Sequence, residues 1–293
     1  MRKTILAAVT LLAIGALILG VVYLQGLQNR TLRATTTTSL YATGLLDVLA
    51  EEFERRNPGV SVEFVAVGSG EALRKAAMGD ADLVLVHAPS LEKKYLGEDV
   101  LKPGRIFAYN YFLILGPGDD PAGIEGLSPI DAFKKIYGAG ERGEAVFVSR
   151  GDNSGTHVRE LALWKLAGLD PRGKPWYIEA GAGMAQTLLV ANEKQAYTLS
   201  DIGTYLKFSS KLGNLKPLVT EGDILINIYS AYPVNPAKVQ GVDEELAEKF
   251  IDFLTSSSGQ DLIRSFSGGK LFKPVEDAQI EELQEAWKKL AEL

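Results

Sequence analysis

From Ala34 onward, short β-prone runs alternate with helix-patterned segments, and nothing else constrains the fold as strongly. The runs "RATTTT", "VSVEFVAV" and "DLVLVHA" read as strands. Between them, "TGLLDVLAEEFERR" sets Leu45, Leu46, Leu49 and Phe53 on one helical stripe, and "EALRKAAMG" is a short helix closed by Gly79. The alternation restarts after one long apolar run, "IFAYNYFLILG", and stops at a second, "DILINIYSAYPV". Between these two runs the pattern predicts helices at 129–137, 154–167, 184–193 and 201–211, with strands at 145–148, 176–179 and 196–199. Two further helices, near 243–265 and 276–291, finish the chain. Strand–helix–strand order implies an α/β fold with mostly parallel sheets and helices on both faces. A length of 293 residues suits two domains better than one. The expectation is two lobes joined by extended crossings near Ala108–Asn110 and Tyr232–Pro236. The first lobe is discontinuous, 31–110 with 236–293, and the second is 111–235.

Residues Ile5 to Leu24 carry no charge and follow Arg2 and Lys3. As a helix this run would span about 30 Å, the thickness of a bilayer core. The flanking cations predict a cytoplasmic N-terminus and an exported remainder. The run leads into "QGLQNRTLRA" with no A-x-A-like cleavage site. A retained anchor helix within 1–29 is therefore favoured over a removed signal peptide, and both readings place the body outside the cytoplasm. The net charge of −6 argues against nucleic acid as a partner. Without cysteine there is no disulfide, thiolate metal site or cysteine nucleophile, and two histidines, His87 and His157, are too few for a multi-histidine zinc site. No cofactor and no metal site is expected.

In open α/β sheets, ligands sit beyond the carboxyl ends of the strands. Six strand-to-helix joins qualify: "TTTTSLYATG", "VGSGEAL", "VHAPS", "SRGDNSGTH", "AGAGMAQTL" and "TLSDIGTYL". Each offers glycine or hydroxyl residues at a helix start, where unpaired N–H groups favour an anion. Capping alone explains any single join, since Thr, Ser and Asp are ordinary N-caps. His87 at a strand end reads as a packed histidine, and Tyr197 and Tyr205 as core or hinge-facing. The fourth join differs, because Arg150 stands among three small donors within seven positions, with Asp152 placed to hold its guanidinium. A nucleophilic Ser154 or Ser69 paired with His157 or His87 is the enzyme alternative. It lacks the G-x-S-x-G elbow, since Asn153 precedes Ser154.

The order "TTTTS…TGLLDVL", "AVGSGEAL", "GDADLVLVHAP", "SRGDNSGTH" resembles the tungstate-binding proteins of ABC importers, and the likeness runs over most of 34–270. It implies a type II periplasmic-binding-protein fold, with two lobes and a ligand cleft at the hinge. A tetrahedral oxyanion, tungstate or molybdate, would be held there as an anion and passed to a membrane permease by a monomeric, non-enzymatic protein. By matching motif, the ligand-binding residues would be Thr37, Thr38, Ser39, Ser69, Arg150, Ser154, Gly155 and Thr156, with Asp152 orienting Arg150. Phosphate and sulfate are the alternative ligands. Phosphate near neutral pH often carries a proton and wants a carboxylate acceptor, whereas the first-lobe joins hold no facing acid. The segment "SLYATG" departs from the family pattern, leaving Tyr41 and Thr43 without an assigned part.

Overall fold

The computed structural model describes residues 30–293. The expected N-terminal helix lies outside them, and no described helix is long and apolar enough to cross a membrane. In chain order the elements are β1 (Arg30–Thr37), α1 (Thr38–Thr43), α2 (Leu45–Arg56), β2 (Val60–Val67), α3 (Ser69–Ala77), β3 (Leu83–Val86), α4 (Pro89–Gly97) and β4 (Arg105–Pro117). Then follow α5 (Pro129–Glu141), β5 (Phe147–Ser149), α6 (Gly155–Leu166), β6 (Tyr177–Glu179), α7 (Met184–Lys194), β7 (Thr198–Asp201), α8 (Ile202–Phe208) and β8 (Leu215–Val219). The chain closes with β9 (Ile226–Pro233), α9 (Glu244–Thr255), α10 (Ser257–Ser265), β10 (Lys273–Pro274) and α11 (Ile280–Ala291).

The apolar stripe of α2 is buried at Leu45, Leu46, Leu49 and Phe53, and it packs with Phe107, Tyr229, Phe250 and Phe272 over one face of the first sheet. That sheet runs β10–β4–β9–β3–β1–β2. β4 is long enough to serve two sheets. Its first half, Arg105 to Tyr111, pairs with β9, and its second half, Phe112 to Pro117, pairs with β7 and β8. β5 and β6 extend the second sheet through Val148 N–H to Tyr197 O and Tyr197 N–H to Val146 O, both 2.8 Å. A second core, rich in aromatics, fills this part, with Trp164 against Phe133 at a 4.4 Å centroid distance.

The structure departs from the sequence reading in three places. Five ladders are antiparallel and three parallel, so the sheets are mixed rather than mostly parallel. The cause is β4 and β9, which run in opposite directions and bring antiparallel neighbours with them. All of β9 from Ile226 pairs inside the first sheet, Tyr232 with Val84 and Pro233 with Leu83, so the chain returns there before Tyr232–Pro236. The helix expected over 243–265 breaks at Ser256, whose extended backbone (ψ 162°) and hydroxyl cap the next helix at Gly259 N–H. A Cβ on Gly259 would meet Phe253 O at 2.2 Å, so the break depends on that glycine.

One buried acid in the second core carries a prediction. Glu160 accepts from Trp164 Nε1 (3.0 Å) and the Tyr177 hydroxyl (2.7 Å), and burial pushes its carboxyl from 4.5 up to about 7. The folded state therefore binds this proton more tightly than the unfolded chain. Its contribution to stability is full below pH 4.5 and fades as pH rises through 7. Glu160→Gln keeps an acceptor for both donors and removes an ionisation penalty on the order of 3 kcal/mol. The variant's melting temperature relative to the native chain should be higher at pH 8 than at pH 5; a pH-independent difference would count against this account.

Candidate functional site

Two strand ends of the first lobe and one of the second meet in a buried polar cluster. β1 delivers Thr37, whose hydroxyl oxygen caps α1 by accepting the Leu40 N–H at 3.2 Å. Thr38 and Ser39 follow in the first turn. β2 leads through Gly68 to Ser69, the first residue of α3. Opposite them, β5 ends at Ser149, and the buried Arg150 follows. Arg150 Nη2 donates to the Asp152 carboxylate and, across the lobes, to Thr38 Oγ1 at 3.3 Å. Asp152 Oδ1 in turn accepts the Ser154 N–H at 3.2 Å. Ser154 caps α6 by accepting the His157 N–H at 3.3 Å.

The walls approach so closely that an added side chain at Gly155 would strike the main chain opposite, and one at Gly70 would displace a side chain. Gly70 N–H donates to Asn153 O across the cleft at 3.3 Å. A Cβ on Gly70 would meet Asn153 Nδ2 at 2.2 Å, and one on Gly155 would meet His87 O at 2.7 Å and His87 Nδ1 at 2.8 Å. The fifth join also faces in, with Gly183 beside Thr38 Oγ1.

Six buried side-chain polar atoms lack a partner among the described residues, and four of them lie here: Ser69 Oγ, Thr156 Oγ1, Arg150 Nε and Arg150 Nη1. A buried donor left unpaired costs about 1–3 kcal/mol, more when charged. Four such atoms in one place suit a partner from outside the chain, and all four are donors, as an anion needs. A cavity of 610 Å³ does lie elsewhere, between Ile106, Tyr232 and Trp287, but its walls are mostly apolar and hold none of these donors.

Of the expected residues, Thr37 is linked to Ser39, Thr38 to Arg150, and Arg150 through Asp152 to Ser154, while Gly155 packs on His87, and Ser69 and Thr156 are buried in the first turns of α3 and α6. Thr37 and Ser154 already use their hydroxyl oxygens as helix caps. Tyr197 is a core residue, its hydroxyl bonded to Ala122 N–H and Asp120. The sixth join is occupied internally: both Asp201 oxygens accept from Thr204 at 2.8 Å.

His87 is the residue whose surroundings the sequence did not disclose. Its Nε2 lies 3.3 Å from Ser39 Oγ and its Nδ1 2.8 Å from Asn227 Oδ1, and its ring stacks on Tyr229 at 4.9 Å. Burial pushes it down to about 4, and the nearby Arg150 and Arg159 add to that fall. The available signal was a lone asparagine in each long apolar run, Asn110 and Asn227, which pair with one another at 2.9 Å. Arg159, also unassigned from sequence, reaches from α6 to the Ile224 and Ile226 carbonyls and lies over the Phe112 ring. It ties the second lobe to both crossing strands.

A mixed α/β frame with strand-end donors closed between two sheets is the form of a solute-binding protein. The model of the PBP superfamily domain matches residues 25–258. The tungstate-binding protein TupA of Peptoclostridium acidaminophilum is 39% identical over 82% of this chain and 84% of its own. The solved tungstate-binding protein TupA of Desulfovibrio alaskensis is 43% identical, covers 85% of this chain and 100% of its own, and superposes with a TM-score of 0.71. A structure titled as the tungstate ABC transporter from Geobacter sulfurreducens is also 43% identical, over 80% of this chain and 98% of its own, with a TM-score of 0.71. The chain belongs to the PBP superfamily and, within it, to the family of these TupA proteins.

Proposed function

We propose that this protein is the extracytoplasmic solute-binding component of an ABC importer. It captures a fully deprotonated tetrahedral oxyanion, tungstate or molybdate, between its lobes and releases it to a membrane permease. The observation that carries this reading is the set of four unpartnered, buried donors on Ser69, Arg150 and Thr156. Thr38, Ser39 and Gly155 complete the cradle beside the capped Thr37 and Ser154, and Asp152 orients the Arg150 fork. The relatives are named as tungstate-binding proteins, which supports the choice of ion.

Acceptors in the site are already engaged. Asp152 receives Arg150 and the Ser154 N–H, and Asp201 receives Thr204 twice. A ligand hydroxyl, as on hydrogen phosphate, would have to share a carboxylate oxygen that already accepts a donor, which favours a dianion bearing no proton. A hydrolase pairing of Ser154 with His157 has no support in the geometry. Ser154 caps its helix, and His157 Nδ1 accepts the Asn153 N–H rather than facing a serine. The protein works as a monomer of two lobes, the first built from 31–110 and the C-terminal segment from 226 onward, the second from the residues between. It works on the outer side of the membrane, tethered by its N-terminal segment or released after removal of that segment. Ligand bridges both walls, so it favours the closed arrangement.

Titration calorimetry of the purified chain with tungstate, molybdate, sulfate and phosphate tests the ligand. Tungstate and molybdate should bind most tightly. A preference for phosphate would overturn the assignment.

A further inference from the structure

We propose that capture of the dianion loads one proton onto His87, and that this turns the Ser39 hydroxyl from His87 toward the ligand. The inference rests on the oxyanion reading above and adds a linked proton to it. His87 acts here as a positioning residue.

The starting arrangement follows from a carbonyl at the far end of a hydrogen-bond chain. Leu271 O can only accept, so the amide nitrogen of Asn110 faces it at 3.0 Å. Asn110 Oδ1 then accepts from Asn227 Nδ2 at 2.9 Å, and the same nitrogen donates to the Tyr229 hydroxyl at 2.8 Å. That leaves Asn227 Oδ1 facing His87 Nδ1, which must carry a proton whatever the ring's charge. In the neutral ring Nε2 is therefore a lone pair. Ser39 Oγ, 3.3 Å away, gives its proton to that lone pair, and Thr37 Oγ1, 3.3 Å from Ser39 Oγ, can donate into the same chain. The Ser39 proton thus points inward, and only oxygen lone pairs are left for the cleft.

An anion cannot use lone pairs. The ring is buried against Tyr229 and Phe112 and against Gly155 of the opposite wall, so it does not swing aside. Adding a proton from water at Nε2 reverses the chain locally. His87 Nε2–H then donates to Ser39 Oγ, and the Ser39 O–H is free for the ligand. The charged groups around the ring set the balance. Arg150 and Arg159 disfavour an imidazolium and Asp152 favours it, while the Tyr229 phenol stays neutral. Burial and the two cations hold the ring neutral in the chain alone. A dianion on Arg150 adds two negative charges close by and shifts that balance toward the imidazolium. The proton returns to water when the anion leaves.

Calorimetry of the full chain with tungstate, run in two buffers of different ionisation enthalpy, counts the protons. Uptake should approach one per tungstate near neutral pH, and affinity should fall by up to about tenfold per pH unit as pH rises through neutrality. His87→Gln can still donate to Asn227 Oδ1. It should bind more weakly, with no proton uptake and a flat pH profile. Should that variant fail to fold, imidazole NMR of the native chain reads the same state, since only His87 and His157 contribute. A neutral His87 under saturating tungstate, or tungstate binding without proton uptake, overturns the proposal and leaves the oxyanion reading standing. Absence of binding to any of the four oxyanions would instead sink that reading.

Discussion

Replacing Arg150 with alanine should weaken tungstate binding at least about a hundredfold while leaving the melting transition cooperative. The side chain is 1% exposed, and two of its nitrogens have no partner among the described residues. Hydrogen bonds from a charged donor contribute about 1.5–3 kcal/mol each, and two of them correspond to roughly a hundredfold or more in affinity. Truncation also leaves Asp152 with one carboxylate oxygen unopposed in the site, which adds repulsion. Arg150→Lys should fall between, because it restores a point charge without the planar fork. Calorimetry decides the matter: equal affinity in the alanine variant would remove Arg150 from the site.

A second large effect is expected from a single methyl group. Gly155 opens α6 without a left-handed backbone, so alanine is tolerated locally and favoured as a helix former. Its Cβ would nevertheless lie 2.7 Å from the His87 carbonyl oxygen, a main-chain atom that cannot rotate away. The clash exists only when the walls meet. Gly155→Ala should therefore fold normally, bind tungstate about a hundredfold more weakly, and show no compaction on adding it. X-ray scattering with and without the anion provides the check, and compaction equal to that of the native chain would refute the steric argument.

The local signals in the sequence were largely sufficient for the helices. The stripe at Leu45, Leu46, Leu49 and Phe53 and the glycine stop at Gly79 both correspond to elements of the structure. Pairing partners were not legible. Hydrophobic runs in β4 and β9 look alike whether their neighbours run parallel or antiparallel, and β8 does not stand out because Lys216 and Pro217 interrupt its apolar run. The joins with hydroxyls and Arg150 could be singled out because helix starts have a known chemistry. His87, Asn110 and Asn227 could not, because their meaning lies in contacts across 117 and 140 positions. Only folding makes those three residues neighbours.

The way the chain divides between its two largest cores also orders its folding. One core is complete within Phe112 to Leu225, whereas the other joins Leu32 to Phe53 with Leu246 to Phe272. A chain emerging N-terminus first therefore carries the apolar face of α2 uncovered until α9 and α10 arrive. The inner lobe can finish while the outer one waits. Helices α9 and α10 emerge late and close the core begun by the first strand, so these long-range steps that slow folding fall near the end.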